Sequence, residues 1–156
     1  MIRDNITKQI GEALKAKDEL RLTTLRILSS ALNYENIAKQ HDLSEEEEIV
    51  VVRREIKKRE DAVSAYEQAK GKLTSHTDAD LNQRIDKERK EIEVLSQYLP
   101  AEIPLSELNK IIEEAISTTG ASEIKDMGRV IAQVKEKTKG AASGQKIAEI
   151  VKSKLS

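Results

Sequence analysis

Basic side chains beside a run of small residues are the features of this chain whose types and spacing suit ligand binding. Arg129, Lys135, Lys137 and Lys139 surround one short helical pattern near the C-terminus, and Lys146 lies just beyond it. Between them, Gly140-Ala141-Ala142-Ser143-Gly144 leads into the start of the last helix. Small residues there let a ligand approach the backbone, and the free amides of a helix start bind phosphate readily. Arg129 points away from the apolar face of its helix, while Lys135 and Lys137 flank that face. The five cations with Gly140, Ser143 and Gly144 are therefore the candidate contacts to a nucleic-acid backbone. The same loop also suits an ordinary helix–helix connector with Ser143 as N-cap. This region has no aromatic residue, so reading of single-stranded bases by stacking is not expected.

Other chemistries find little support. The chain has no Cys, which removes thiol catalysis, disulfides and zinc–cysteine sites. His41 and His76 fall in expected loops, without a second His at ligand spacing. No strand is expected that could present a Gly-rich nucleotide loop, and Ser29-Ser30 faces no evident base. At this Glu content, paired carboxylates read as a solvated helix surface. No catalytic residue, cofactor or metal is expected. In the third helix Arg53, Arg54 and Lys57 flank the apolar stripe, and Arg59 falls inside it. Its stem can pack while its guanidinium snorkels or pairs with an acid of a neighbouring helix. Arg21 interrupts the faces of the second helix in the same way.

The composition states what must position these groups. Of 156 residues, 35% are charged and 38% hydrophobic, only 2% are aromatic, and the two prolines lie at Pro100 and Pro104. A chain so rich in helix formers, with so few breakers, is expected to be all-α. No apolar run reaches the roughly 18–20 residues of a membrane span. The N-terminus lacks the apolar core of a signal peptide, so a cytoplasmic location is expected. Net charge is −1, unlike a strongly basic nucleic-acid binder. Residues 120–156, however, hold eight Lys and Arg against four Asp and Glu, a local +4 that could meet phosphates.

Periodicity predicts seven helices. The first covers Ile2 to Ala16. The second, capped by Asp18, runs to about Lys39 and carries two apolar stripes, one of Leu20, Ile27, Ala31, Tyr34 and Ala38, the other of Leu25, Leu28 and Leu32. Two stripes predict a central helix covered on both sides. Ser44 and Glu47 form a capping box for a third helix reaching about Lys70, stopped by Gly71. A fourth occupies about Asp78 to Tyr98, with outer pairs Asp86–Lys90, Lys87–Glu91 and Arg89–Glu93. Three shorter helices follow, at about Glu107–Thr118, Ile124–Lys137 and Gly144–Leu155. The prolines break the chain between the fourth helix and these three. The expected organisation is an N-terminal domain with long helices over residues 1–98, a linker at 99–104, and a small three-helix domain at 105–156.

Several stretches resemble the YqeY-like proteins: Arg21-Leu22-Thr23-Thr24-Leu25-Arg26, Arg54-Glu55-Ile56-Lys57-Lys58-Arg59, and Glu91 through Tyr98-Leu99-Pro100. Met127-Gly128-Arg129-Val130-Ile131 and Gly140–Gly144 add to them. The likeness runs nearly the full length, in order. It implies an N-terminal helical domain followed by a three-helix domain. That second domain is shared with the tail of the B subunit of the glutamine-dependent aminoacyl-tRNA amidotransferase. There the tail contacts tRNA, and the chemistry resides elsewhere. Nothing here corresponds to the catalytic region, so a label of carbon–nitrogen ligase with glutamine as amido-N-donor would be inherited through the shared domain. The last loop departs from the family pattern, with Ala141 and Ser143 standing where a basic residue and an Asp are usual. The resemblance implies a non-catalytic accessory protein touching tRNA through residues 125–146. The alternative is a protein–protein adaptor docking through its N-terminal helices.

Overall fold

Helix boundaries fall where capping chemistry puts them. The computed structural model describes residues 1–72 and 75–156, and the described residues are all-α, with no strand. The helices are α1 (Ile2–Lys15), α2 (Glu19–Lys39), α3 (Glu45–Ala69), α4 (Asp78–Ser96), α5 (Leu105–Thr119), α6 (Met127–Thr138) and α7 (Gly144–Leu155). Asp18 accepts from the Arg21 amide at 3.0 Å. Ser44 and Glu47 satisfy each other's backbone N–H groups, at 3.2 and 2.9 Å. Thr77 and Asp80 repeat the same box at the start of α4. The sixth helix starts later than periodicity suggested. Ile124–Asp126 form a 3-10 turn, because the Asp126 carboxylate accepts from the Ser122 and Glu123 amides and tightens the chain there.

The chain forms two compact units, residues 1–99 with α1–α4 and residues 100–156 with α5–α7. In the first, Leu28 and Leu32 of α2 pack against Val51, Val52 and Ile56 of α3, Leu95 of α4 and Ile6 of α1. In the second, Leu108, Ile112 and Ala115 of α5 meet Val130 and Val134 of α6 and Ile147 and Val151 of α7. Ile103 packs against this second core, and its amide donates to the Ala141 carbonyl at 3.2 Å.

Two expectations for the first unit are corrected. The neighbours of α2 gather on its Leu25–Leu28–Leu32 side, so the stripe of Leu20, Ile27, Ala31, Tyr34 and Ala38 is only partly covered: Ala31 packs against the core, while Ile27 and Tyr34 are 43% and 76% exposed. An apolar stripe on a helix states a preference for cover; only packing decides whether cover exists. On α4, Glu91 turns inward instead of pairing with Lys87, and Arg89 reaches Glu67 of α3 at 3.4 Å.

That inward turn answers a buried cation. Arg59 is 6% exposed, and its Nε donates to Glu91 at 2.7 Å while a terminal nitrogen donates to the Glu55 carboxylate at 3.2 Å and carbonyl at 2.9 Å. Lys58 holds the other Glu55 oxygen at 2.6 Å. The acid on a neighbouring helix expected for Arg59 is thus Glu91. Arg21 differs, lying beside the half-buried Tyr98 hydroxyl and, among the described residues, in no salt bridge. Glu48 is fully buried and takes the Ile2 and Arg3 amides at 2.6 and 3.2 Å, capping α1, which has no side-chain cap of its own.

Two measurements test these interactions. Removing one partner of a buried pair strands a charge, so Arg59→Ala should lower stability by about 3–5 kcal/mol in urea denaturation. Lys57→Ala, which breaks the exposed Lys57–Asp61 pair, should move it by less than about 1 kcal/mol. Glu47 is held down to about 2, first by the hydrogen bond from Lys39 and then by the Ser44 amide. Its folded value lies below the ordinary glutamate value of about 4.3, so its stabilisation is complete above that pH and fades as pH falls towards 2. Carboxyl NMR should place its midpoint near the lower figure. An ordinary midpoint would show that the cap does not persist in solution.

Candidate nucleic-acid interface

Within the second unit, α6 ends and α7 begins around a tight connection. Lys139 closes α6 in the left-handed conformation at φ 44°, Gly140 continues at φ 83°, and the Ala141 amide donates to the Thr138 carbonyl at 2.8 Å. The second of these is a conformation glycine adopts at little cost. Ala142 is buried in the core, which leaves Ser143 to open α7. Its hydroxyl accepts from the Lys146 amide at 3.2 Å, as an N-cap should.

The amino end of α7 gathers positive charge. Its first turn holds no acid, and its cap is a neutral hydroxyl. Lys135 reaches across from α6: a methyl on Gly144 would stand 3.1 Å from its Cε and 3.3 Å from its Nζ. An ammonium thus lies over the first residue of a helix whose free amides already present partial positive charge. Gly144 is what leaves room for it.

The remaining sequence-predicted residues are placed differently. Arg129 donates to Asp126 at 2.6 Å, and this bond, followed by the Ser122 and Glu123 amides, holds the Asp126 carboxyl below its usual range. Lys137 donates to Glu114 of α5 at 2.9 Å and likewise lowers that carboxyl. Lys146 stands 3.8 Å from Glu102. Among the described residues, Lys135 and Lys139 hold no ion pair. The structure therefore brings Lys135, Ser143, Gly144 and Lys146 to one helix end, and sets Arg129 and Lys137 in surface pairs elsewhere on the unit. Such exposed pairs are worth about 0–1 kcal/mol and open easily to a competing anion.

Sequence reasoning missed the acids that restrain this set. Glu114 lies 23 residues from Lys137, and nothing local couples the two in advance, whereas Asp126 stands at i,i+3 spacing from Arg129 and that spacing is the signal that would have found it. Away from this unit, His41 lies exposed, with a ring nitrogen 2.8 Å from the Asp42 carbonyl. Among the described residues, no group of three His, Asp or Glu could hold a metal ion, and no helix is long and apolar enough to cross a membrane.

These features define a helical protein of two units with a cation-rich helix end. The chain belongs to the YqeY-like family: the model of the Yqey-like protein matches residues 3–155, essentially its whole length. None of the curated proteins compared with it matches.

Ser143→Ala should cost about 0.5–2 kcal/mol in urea denaturation through loss of the α7 cap, whereas Ser143→Asp, an equally good cap, should leave stability within a few tenths. A large loss in both variants would point to packing of Ser143 rather than capping.

Proposed function

We propose that this chain is a non-catalytic, tRNA-associated accessory protein of the cytoplasm, which touches backbone phosphates through the C-terminal unit. The observation that supports the reading best is the Lys135 ammonium held over the amino end of α7. Like charges placed together gain from an anion that lies between them, and a phosphate oxygen can accept from both ammonium and amides. Lys139 and Lys146 extend the cationic surface. Arg129 and Lys137 join it by exchanging weak carboxylate partners for phosphate. The relation to tRNA-dependent amidotransferase is then one of shared domain: the carbon–nitrogen ligase chemistry with glutamine as amide donor belongs to a separate catalytic region, and this chain supplies contact to the RNA. Without aromatic side chains in the unit, recognition rests on charge and shape.

A second reading is a protein–protein adaptor without RNA binding. The open apolar stripe of α2 favours it, because such a face suits a protein surface better than a phosphate backbone.

Gel retardation of bulk tRNA across a salt series tests the first reading. Phosphate contacts from Arg129, Lys135, Lys137 and Lys139 give a log–log salt slope of roughly −3 to −4; if Arg129 and Lys137 stay with their carboxylates, the slope falls to roughly −2. Lys135→Glu/Lys139→Glu should abolish retardation. Glu114→Gln, which releases Lys137, should tighten it. No retardation at micromolar protein in low salt would sink the proposal.

A further inference from the structure

A polar cleft of about 460 Å³ lies between α1 and α2 in the first unit. Buried Ile6 and Leu32 form its floor. Its walls carry Arg3, Asp4 and Thr7 of α1, Ser29 and Asn33 of α2, and Asp42 of the turn before α3. Arg3 and Thr7 stand one turn apart on α1, as Ser29 and Asn33 do on α2, so two polar helix edges face each other. A buried charge holds this arrangement. The fully buried Glu48 accepts from the Arg3 amide at 3.2 Å, and Asn36 accepts from the Arg3 guanidinium at 2.6 Å. Backbone and side chain of Arg3 are both fixed, as a residue that binds a ligand requires.

The hydrogen-bonding groups left unspent define the ligand. Among the described residues the Arg3 side chain donates only through Nη1, to Asn36 and, at 3.3 Å, to Asp42. Its Nε–Nη2 edge stays free, the geometry that takes both oxygens of a carboxylate at once. The two acids are weakly engaged: Asp42 by that contact, and Asp4 by the Met1 amino group at 3.5 Å, with side chains 92% and 72% exposed. Either can accept an ammonium at small cost. Thr7, Ser29 and Asn33 make no side-chain hydrogen bond among the described residues. Helix hydroxyls elsewhere turn back on their own helix, Thr24 to the Leu20 carbonyl at 2.8 Å and Ser96 and Thr118 to those of Ile92 and Glu114 at 2.7 Å.

A free phosphate meets two carboxylates here and is disfavoured. A ligand with a carboxylate and an ammonium on one carbon answers both signs, and a peptide end carries only one of the two. We propose that this cleft binds a free α-amino acid with a hydrogen-bonding side chain. Its carboxylate lies on Arg3, its ammonium towards Asp4 and Asp42, and its side chain among Thr7, Ser29 and Asn33. The site goes beyond the RNA reading and lies within the first unit, so either can fail without the other.

Amide NMR of the full chain tests this, with L-asparagine and L-threonine titrated to about 20 mM beside their near-isosteres L-leucine and L-valine. At least one of the polar pair should give saturable shifts centred on residues 3–7 and 29–33, and its isostere should bind several-fold more weakly. The matching α-amide lacks the carboxylate, and the matching deaminated acid, succinamate or 3-hydroxybutyrate, lacks the ammonium. Each should bind about tenfold or more weakly than the amino acid. Arg3→Gln should abolish the shifts. Asn33→Leu, at an exposed position, should weaken binding several-fold with a urea midpoint close to the parent's. Saturation by neither polar amino acid overturns the inference. So does equal binding of the isostere or of the deaminated acid, the latter reducing the cleft to an anion site. Parental affinity in both variants also overturns it.

Discussion

Charges buried on one face of α3 must be answered by other helices, and the first unit is arranged around that requirement. Glu48 takes two amides at the start of α1. Eleven residues on, Arg59 takes Glu91 of α4, with Glu55 between them. A carboxylate or guanidinium left unpaired at such depth costs several kcal/mol, so α1 and α4 are held in register along α3 rather than merely pressed against it. Hydrophobic packing alone would be more permissive, since neighbouring turns of Leu and Val can exchange places with little loss. The ionic contacts discriminate between those alternatives, because a shift of one turn would break them.

The second unit has no comparable buried charge. Its core is aliphatic, its helices are short, and its ion pairs lie at the surface. Different physics follows. Surface pairs contribute little to stability and exchange partners readily, so the cations of α6 and α7 serve an incoming anion at small energetic cost. Charge is structural where it is buried in the first unit and available where it is exposed in the second. Lys135 over Gly144 illustrates the second case: among the described residues its ammonium holds no carboxylate.

Helix content and boundaries were largely legible in the sequence because capping is local. Asp18, Ser44 and Ser143 act within three residues of themselves, and their hydrogen bonds form as their spacing implied. The partner of Arg59 was legible only as a type. A cation inside an apolar stripe demands an acid, yet Glu91 lies 32 residues away among other acids of α4 that look equally available. Glu48 and Glu55 were missed altogether, although the i, i+3, i+4 spacing of Glu48, Val51, Val52, Glu55 and Arg59 places all five on one face. Acidic residues on such a stripe are the signal that would have found them.

The amino-acid sequence by itself determined what depends on neighbours along the chain: all-α structure, most helix ends, the N-cap at Ser143, and a basic C-terminal end. Tertiary structure alone decided which faces are covered and which charges are engaged. It left Ile27 and Tyr34 open on α2 and sent Glu91 inward. It also tied Lys137 to a carboxylate of α5 while leaving Lys135 over the start of α7. The physical reason is range. Capping and periodicity act over three or four residues, whereas desolvation of a charge or an apolar stripe depends on whatever distant segment comes to lie against it.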